Sequence, residues 1–257
     1  MITTEVFILK DEEDENVDFL KKLFNSSIFS FVVDVIVPKP IGIPESSVMS
    51  EEEIYKNYEY QWCFRNMKNK LNSVLILRST SLTNANEETI SRFINELNRC
   101  KDNFDLFYLC RWKDECQKIT DIREIENIGI KIGRTYSPSG LQAVYFSPSG
   151  RNILLGILPM RNDKYFSMDI PLEAKLIQEI QSGNIISYCT IGNLFSYDLT
   201  KALSNEDYSR TQECINICKE ENKNKTGNTA YYNYLWVVII LIIIIICVIA
   251  ILSMKKY

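Results

Sequence analysis

From Leu235 to Leu252 the chain is an unbroken apolar run dense in Ile and Val, and Ser253 and Met254 extend it without a charge. An α-helix needs about 20 apolar residues to cross the hydrocarbon core of a bilayer. Residues 235–254 are therefore expected to form one transmembrane helix, from Leu235 and Trp236 through Cys247 to Met254. Tyr231, Tyr232, Tyr234 and Trp236 form an aromatic belt at one border. Residues 255–257 are a short basic tail containing Lys255 and Lys256. A buried core helix is the competing reading, but cores rarely carry a run such as Ile242–Ile246.

The start of the chain sets the expected topology. Met1-Ile-Thr-Thr-Glu-Val has no basic region, no apolar stretch and no small-residue cleavage site, so no signal peptide is expected. A span this near the last residue implies post-translational insertion, a tail-anchored protein and a cytosolic N-terminal domain. Lys219, Lys223 and Lys225 on one side and Lys255 and Lys256 on the other discriminate little between orientations. The sequons at Asn25 and Asn224 matter only if the domain is lumenal.

Composition removes whole function classes. A net charge of -4 leaves no electrostatic footprint for nucleic acid. The chain has no histidine, so Ser-His-Asp and Cys-His nucleophile systems cannot be built, and a zinc site would need Cys and carboxylates alone. Besides Cys247, seven scattered cysteines remain, an odd number in an expected reducing compartment. Free thiols, no bound metal and no cofactor are expected. Cys214 and Cys218 would share one face of a helix, but two ligands do not make a zinc site.

Short β-branched runs alternate with amphipathic patterns over the first half. Strands are expected at 5–9, 30–37, 73–77 and 104–110, with helices over about 16–24, 51–70 and 86–100. Ser50-Glu-Glu-Glu53 is a capping box. The alternation implies an α/β fold, a mainly parallel sheet with helices on both faces. Later segments at 128–132, 141–146 and 185–191 are strand-like, the two Ser-Pro-Ser-Gly tetrapeptides (137–140 and 147–150) mark turns, and 171–181 is helical. The expected organisation is an α/β domain over 1–200, a polar helix and juxtamembrane stalk over 201–233, the span over 235–254 and the tail.

The order of these segments resembles that of the family 25 glycosyltransferases, which have a nucleotide-sugar-binding GT-A fold related to Rossmann-like α/β folds. The helix Tyr55–Asn69 before Ser73-Val-Leu-Ile-Leu77 is similar to that family's helix leading into its Leu-Ile-Leu-Glu-Asp-Asp strand end. Phe104-Asp-Leu-Phe-Tyr-Leu109 resembles its next strand, and Gly140-Leu-Gln-Ala-Val-Tyr-Phe-Ser-Pro-Ser-Gly150 followed by Asn152-Ile-Leu-Leu155 resembles its Ala-Tyr, Ser-x-x-Gly-Ala and helix stretch. Met168-Asp-Ile-Pro-Leu-Glu173 resembles its later acidic motif, which puts Asp169 where the family has a functional carboxylate. The resemblance covers residues 4–197.

The departure is chemical. Where the family holds a divalent metal with acids after the Leu-Ile-Leu strand, this chain has Arg78, Ser79 and Thr80. Arg78 offers a guanidinium that could grip a diphosphate, or could simply cap the strand; Asp34 is a second candidate contact, with a structural role as its alternative. The resemblance thus implies either a degenerate, non-catalytic domain or a metal-independent glycosyltransferase with Arg78, Ser79, Thr80, Asp34 and Asp169 around a nucleotide sugar. Asp169, Glu173 and Asp198 in one pocket would favour the transferase.

The bias to Ile, Asn and Lys with a lone terminal span resembles the membrane proteins of large cytoplasmic DNA viruses. The size and layout are similar to those of the transmembrane virion proteins of asfiviruses such as African swine fever virus. That resemblance implies a viral envelope or assembly protein in host endoplasmic-reticulum-derived membrane and in the virion envelope. Its partners would be the lipid bilayer and viral or host proteins.

Overall fold

A computed structural model of the chain describes residues 3–10, 16–39, 49–100, 104–111, 114–115, 118–125, 128–157, 170–192 and 194–197. Strand β1 (Thr4–Leu9) is buried along its whole length and lies between β2 (Phe29–Val35) and β3 (Ser73–Arg78), parallel to both. Helix α1 (Val17–Leu23) links β1 to β2, and α2 (Glu51–Arg65) links β2 to β3. The expected capping box is present at the start of α2: Ser50 Oγ accepts from the Glu53 amide, and the Glu53 carboxylate accepts from the Ser50 amide.

The remaining strands extend the sheet on the β3 side. They are β5 (Leu106–Cys110), β6 (Thr120–Ile125), β7 (Ile130–Arg134), β8 (Ala143–Phe146) and β9 (Ser187–Thr190). The sheet order is β2-β1-β3-β8-β5-β9-β7-β6. β1–β2, β1–β3 and β5–β9 pair in parallel, whereas β3–β8, β5–β8, β7–β9 and β6–β7 are antiparallel. The sheet is therefore mixed, with β8 wedged antiparallel between β3 and β5, although all strands except β7 and β8 run the same way. A two-residue ribbon, β4 (Ser81–Leu82) with β10 (Ser196–Tyr197), sits apart from the sheet.

Helices cover both faces, as the alternation implies. Helices α1 and α3 (Glu87–Arg99) close one core around Leu20, Phe93, Leu75 and Phe107. Helices α2, α4 (Pro148–Ile157) and α5 (Leu172–Gln181) close the other around Tyr60, Phe64, Leu154 and Leu176.

Two local expectations are corrected. Helix α2 stops at Arg65 rather than near Lys70, because the amides of Lys68 and Asn69 donate to the buried carboxylate of Glu5 (2.8 and 2.7 Å) and so leave the helical ladder. The second Ser-Pro-Ser-Gly is no turn but the first turn of α4. Ser147 Oγ accepts from the Gly150 amide at 3.1 Å, and Pro148, with no amide hydrogen to lose, takes the first helical position. The expected transmembrane helix (235–254), stalk, Asn224 and tail lie outside the described residues. Among the described residues no helix is long and apolar enough to cross a membrane.

Candidate functional site

In open α/β sheets ligands sit beyond the carboxyl ends of the strands, where the strand order reverses. Here the chain leaves β1 to one side to form β2 and then returns to the other side as β3, so the reversal lies between β1 and β3. Leu9 and Arg78 are register partners at that edge, which puts Arg78, Ser79 and Thr80 at the switch point.

The three residues are held tightly by their surroundings. The Arg78 guanidinium meets the carboxylate of Glu59, a buried residue on α2, through both terminal nitrogens. The side chains of this pair are 18% and 4% exposed. The Arg78 amide donates to the Gln142 carbonyl (2.9 Å) and the Ser79 amide to the Leu9 carbonyl (2.7 Å). Asn16 Nδ2 donates to the carbonyls of Ser79 and Ser81, and Gln142 Nε2 donates to Thr80 Oγ1 at 2.7 Å. The nearby Arg78 charge also helps to lower the pKa of Glu52, after the larger effect of Lys56.

Asp34 is not part of this constellation. It sits on β2, one strand beyond β1, and its carboxylate takes Lys21 of α1 and Lys10 (3.4 Å). The hydrogen bond from Lys21 holds Asp34 below the usual carboxylate value, with burial opposing. Arg78 faces α2, on the opposite side of the sheet from α1, so the two candidates do not converge. Asn25 is exposed. Asp169 and Asp198 lie outside the described residues. Glu173, at the start of α5, accepts from Ser139 Oγ (2.9 Å) and from the Gly140 amide, and so fixes the turn before β8.

Sequence reasoning missed three features of this edge. Glu59 is one acid in an acid-rich helix, and nothing in its spacing marks it as the partner of Arg78. Arg111 and Asp114 form a pair at 2.6 Å with side chains 5% and 0% exposed; Asp114 also accepts from the Ser137 amide at 3.0 Å. Tyr108 carries a buried hydroxyl without a hydrogen-bond partner, and burial pushes its pKa well up. Among the described residues no group of three or more His, Cys, Asp or Glu could hold a metal ion.

No family of known proteins matches the sequence, and no curated protein does. A solved structure described as a glycosyltransferase involved in the glycosylation of the major capsid of PBCV-1 is similar at 12% identity and a TM-score of 0.45, over 84% of this chain and 99% of that one. A second, A197 from STIV, is similar at 9% identity and a TM-score of 0.34, over 76% of this chain and 83% of its own.

Proposed function

We propose that this chain is a membrane-anchored, non-catalytic protein whose α/β domain is a degenerate glycosyltransferase-like domain, used as an interaction surface in viral envelope assembly. One observation carries the non-catalytic reading: Arg78, the cation that the sequence puts forward at the switch point, is neutralised by Glu59. A diphosphate entering there would compete with a buried carboxylate and displace a paired fork. The mixed sheet with helices on both faces is compatible with a GT-A-like domain. The proposed organisation is this domain over 1–200, a polar helix and juxtamembrane stalk over 201–233 and a membrane span over 235–254, the last supported by the uncharged apolar run. The location we propose is endoplasmic-reticulum-derived host membrane and the virion envelope, with the domain cytosolic.

The test separates binding from turnover. Nucleotide diphosphates and their sugar conjugates are titrated into the full chain by calorimetry, with and without manganese. No binding and no sugar release are expected. Manganese-dependent binding or sugar release would overturn the proposal. Metal-independent binding lost in Arg78→Ala would establish the other reading, a membrane-tethered, metal-independent glycosyltransferase, which rests on the place of Arg78 at the switch point. For the anchor, carbonate extraction should leave the protein in the membrane pellet, and protease added to intact microsomes should digest the domain. A protected chain glycosylated at Asn25 or Asn224 would reverse the orientation.

A further inference from the structure

On the sheet face covered by α1 and α3, the helices reach only as far as β5. Beyond them the β9-β7-β6 end of the sheet and the flank of α3 enclose a half-open groove of about 560 Å³. A second cavity of about 520 Å³ adjoins it and shares Leu97, Cys100 and Phe104. Volumes of this size are those of small-molecule sites.

The groove has a polarity gradient. Its inner wall is Leu97, Phe104, Phe107, Ile132 and Tyr188, all buried. Its mouth carries Arg92, Arg99 and Arg123. The side chains of Arg92 and Arg99 are 60% and 63% exposed, and the Arg123 guanidinium lies 5.7 Å from the Tyr188 ring centroid. Two acids, Glu96 and Glu124, share the mouth; Arg99 approaches Glu96 at 4.0 Å, and Arg92 pairs with Glu88 of the same helix at 2.5 Å, both exposed, solvent-screened contacts that an anionic head can displace. A nucleobase would need hydrogen-bonding groups at depth, and the inner wall is almost wholly apolar. In the adjoining cavity such groups satisfy one another: Tyr145 donates its hydroxyl to Ser73 or Asn98, and Asp105 accepts from Ser149 and the Ile186 amide. Apolar depth with guanidiniums outside fits an aliphatic body with one anionic head.

We propose that this groove binds a long-chain carboxylate, its tail against Phe104, Phe107, Ile132 and Tyr188 and its head at the three arginines. The site is independent of the switch point, so it stands or falls apart from the reading of Arg78. Cys100 lines the groove and is half-buried, which makes its thiol a reporter of occupancy.

The test uses the full chain in phosphatidylcholine nanodiscs, where the added probe is the only lipid anion. Alkylation of Cys100 by iodoacetamide is followed by peptide mass spectrometry. Dodecanoate at ten times its half-saturating concentration should slow the reaction about tenfold, whereas dodecanol should leave it unchanged. The double variant Arg92→Gln/Arg99→Gln should lose the protection with only a small fall in melting temperature, since both side chains are exposed and their contacts with Glu88 and Glu96 are solvent-screened. Absence of protection, equal protection by the alcohol, or protection that survives the charge removal would overturn the proposal. So would a Cys100 that resists alkylation without any ligand, because another part of the chain would then fill the groove.

Discussion

The carboxylate of Glu59, in the third turn of α2, holds the guanidinium of Arg78 at the end of the strand that α2 precedes. The pair joins helix to sheet where a ligand of an α/β fold would sit. Removing one partner of a buried pair leaves the other charge uncompensated. Glu59→Gln should therefore cost about 3 kcal/mol of stability, read as a lower urea midpoint. Arg78→Met, which removes the other charge and keeps an aliphatic stem, should cost a similar amount, and the double change Glu59→Gln/Arg78→Met should cost less than the two singles summed. Pyrophosphate should bind Glu59→Gln measurably better than wild type, since the fork is released.

Asp34 ties the open edge strand β2 to α1 and Lys10. Its folded pKa is lowered, chiefly by the Lys21 hydrogen bond. A lowered carboxylate pKa contributes stability that is present above the ordinary value of 3.8 and lost as pH falls through the folded value. The carboxylate is partly exposed, so the contribution is screened and should stay below about 1 kcal/mol. Asp34→Asn should lower stability by up to about 1 kcal/mol above pH 3.8, flatten the acid limb, and converge on wild type at low pH, in urea titrations at stepped pH.

The contrast between these two pairs shows what the sequence could convey. Patterns repeated along one element were legible: the Ser50–Glu53 box, the apolar face of α3, and the β-branched runs that became β1, β2 and β3. Direction was not. Ala143-Val-Tyr-Phe146 is apolar on both faces, so nothing in it says that β8 runs against its neighbours. The strand β6 hid because it is an edge strand of exposed, charged residues, with none of the apolar density that marked the others. Long-range polar closure was also invisible. Glu5 lies in an apolar run, and its acceptance of amides from residues 68 and 69 depends on a fold not yet formed. At the candidate site the position of Arg78 was legible and its neutralisation was not.

The cysteines make an alkaline prediction. Cys63, Cys110 and Cys189 are free and buried; burial pushes Cys110 and Cys189 up to about 12 and Cys63 well up. The unfolded thiols ionise near 9.0, so between that value and about 12 the unfolded chain binds fewer protons than the folded one. Stability should be fully present below pH 9.0 and fall steadily above it. Replacing Cys110 and Cys189 by Ala should shallow that slope, although the cavities left behind lower the plateau. Among the four described cysteines, iodoacetamide at pH 8 should modify Cys100 in the native protein and spare Cys63, Cys110 and Cys189, because the thiolate is the nucleophile and of these four only Cys100 is partly accessible.

Gly150 is the third residue of α4, and its α-carbon lies against the backbone of Asp105 just ahead of β5. A Cβ at this position would overlap the Asp105 carbonyl, which is main chain and cannot swing aside. The same carbonyl accepts from the Ser147 amide at 3.1 Å, so moving it would also disturb the residue that caps α4. The Asp105 side chain is committed as well, to Ser149 Oγ at 2.6 Å and to the Ile186 amide at 2.9 Å. Alanine is ordinarily the better helix former by about 1 kcal/mol, so propensity alone makes Gly150→Ala stabilising. Crowding of the close approach opposes it, and overpacking of this kind costs about 3 kcal/mol. The net expectation is a loss of about 2 kcal/mol, seen as a drop in the urea midpoint at unchanged slope. Gly156, in the last turn of the same helix, faces open space: a Cβ there would meet nothing within 4 Å, so Gly156→Ala serves as the control and should raise stability. Equal effects at the two positions would show that the contact between α4 and Asp105 is looser than its geometry implies.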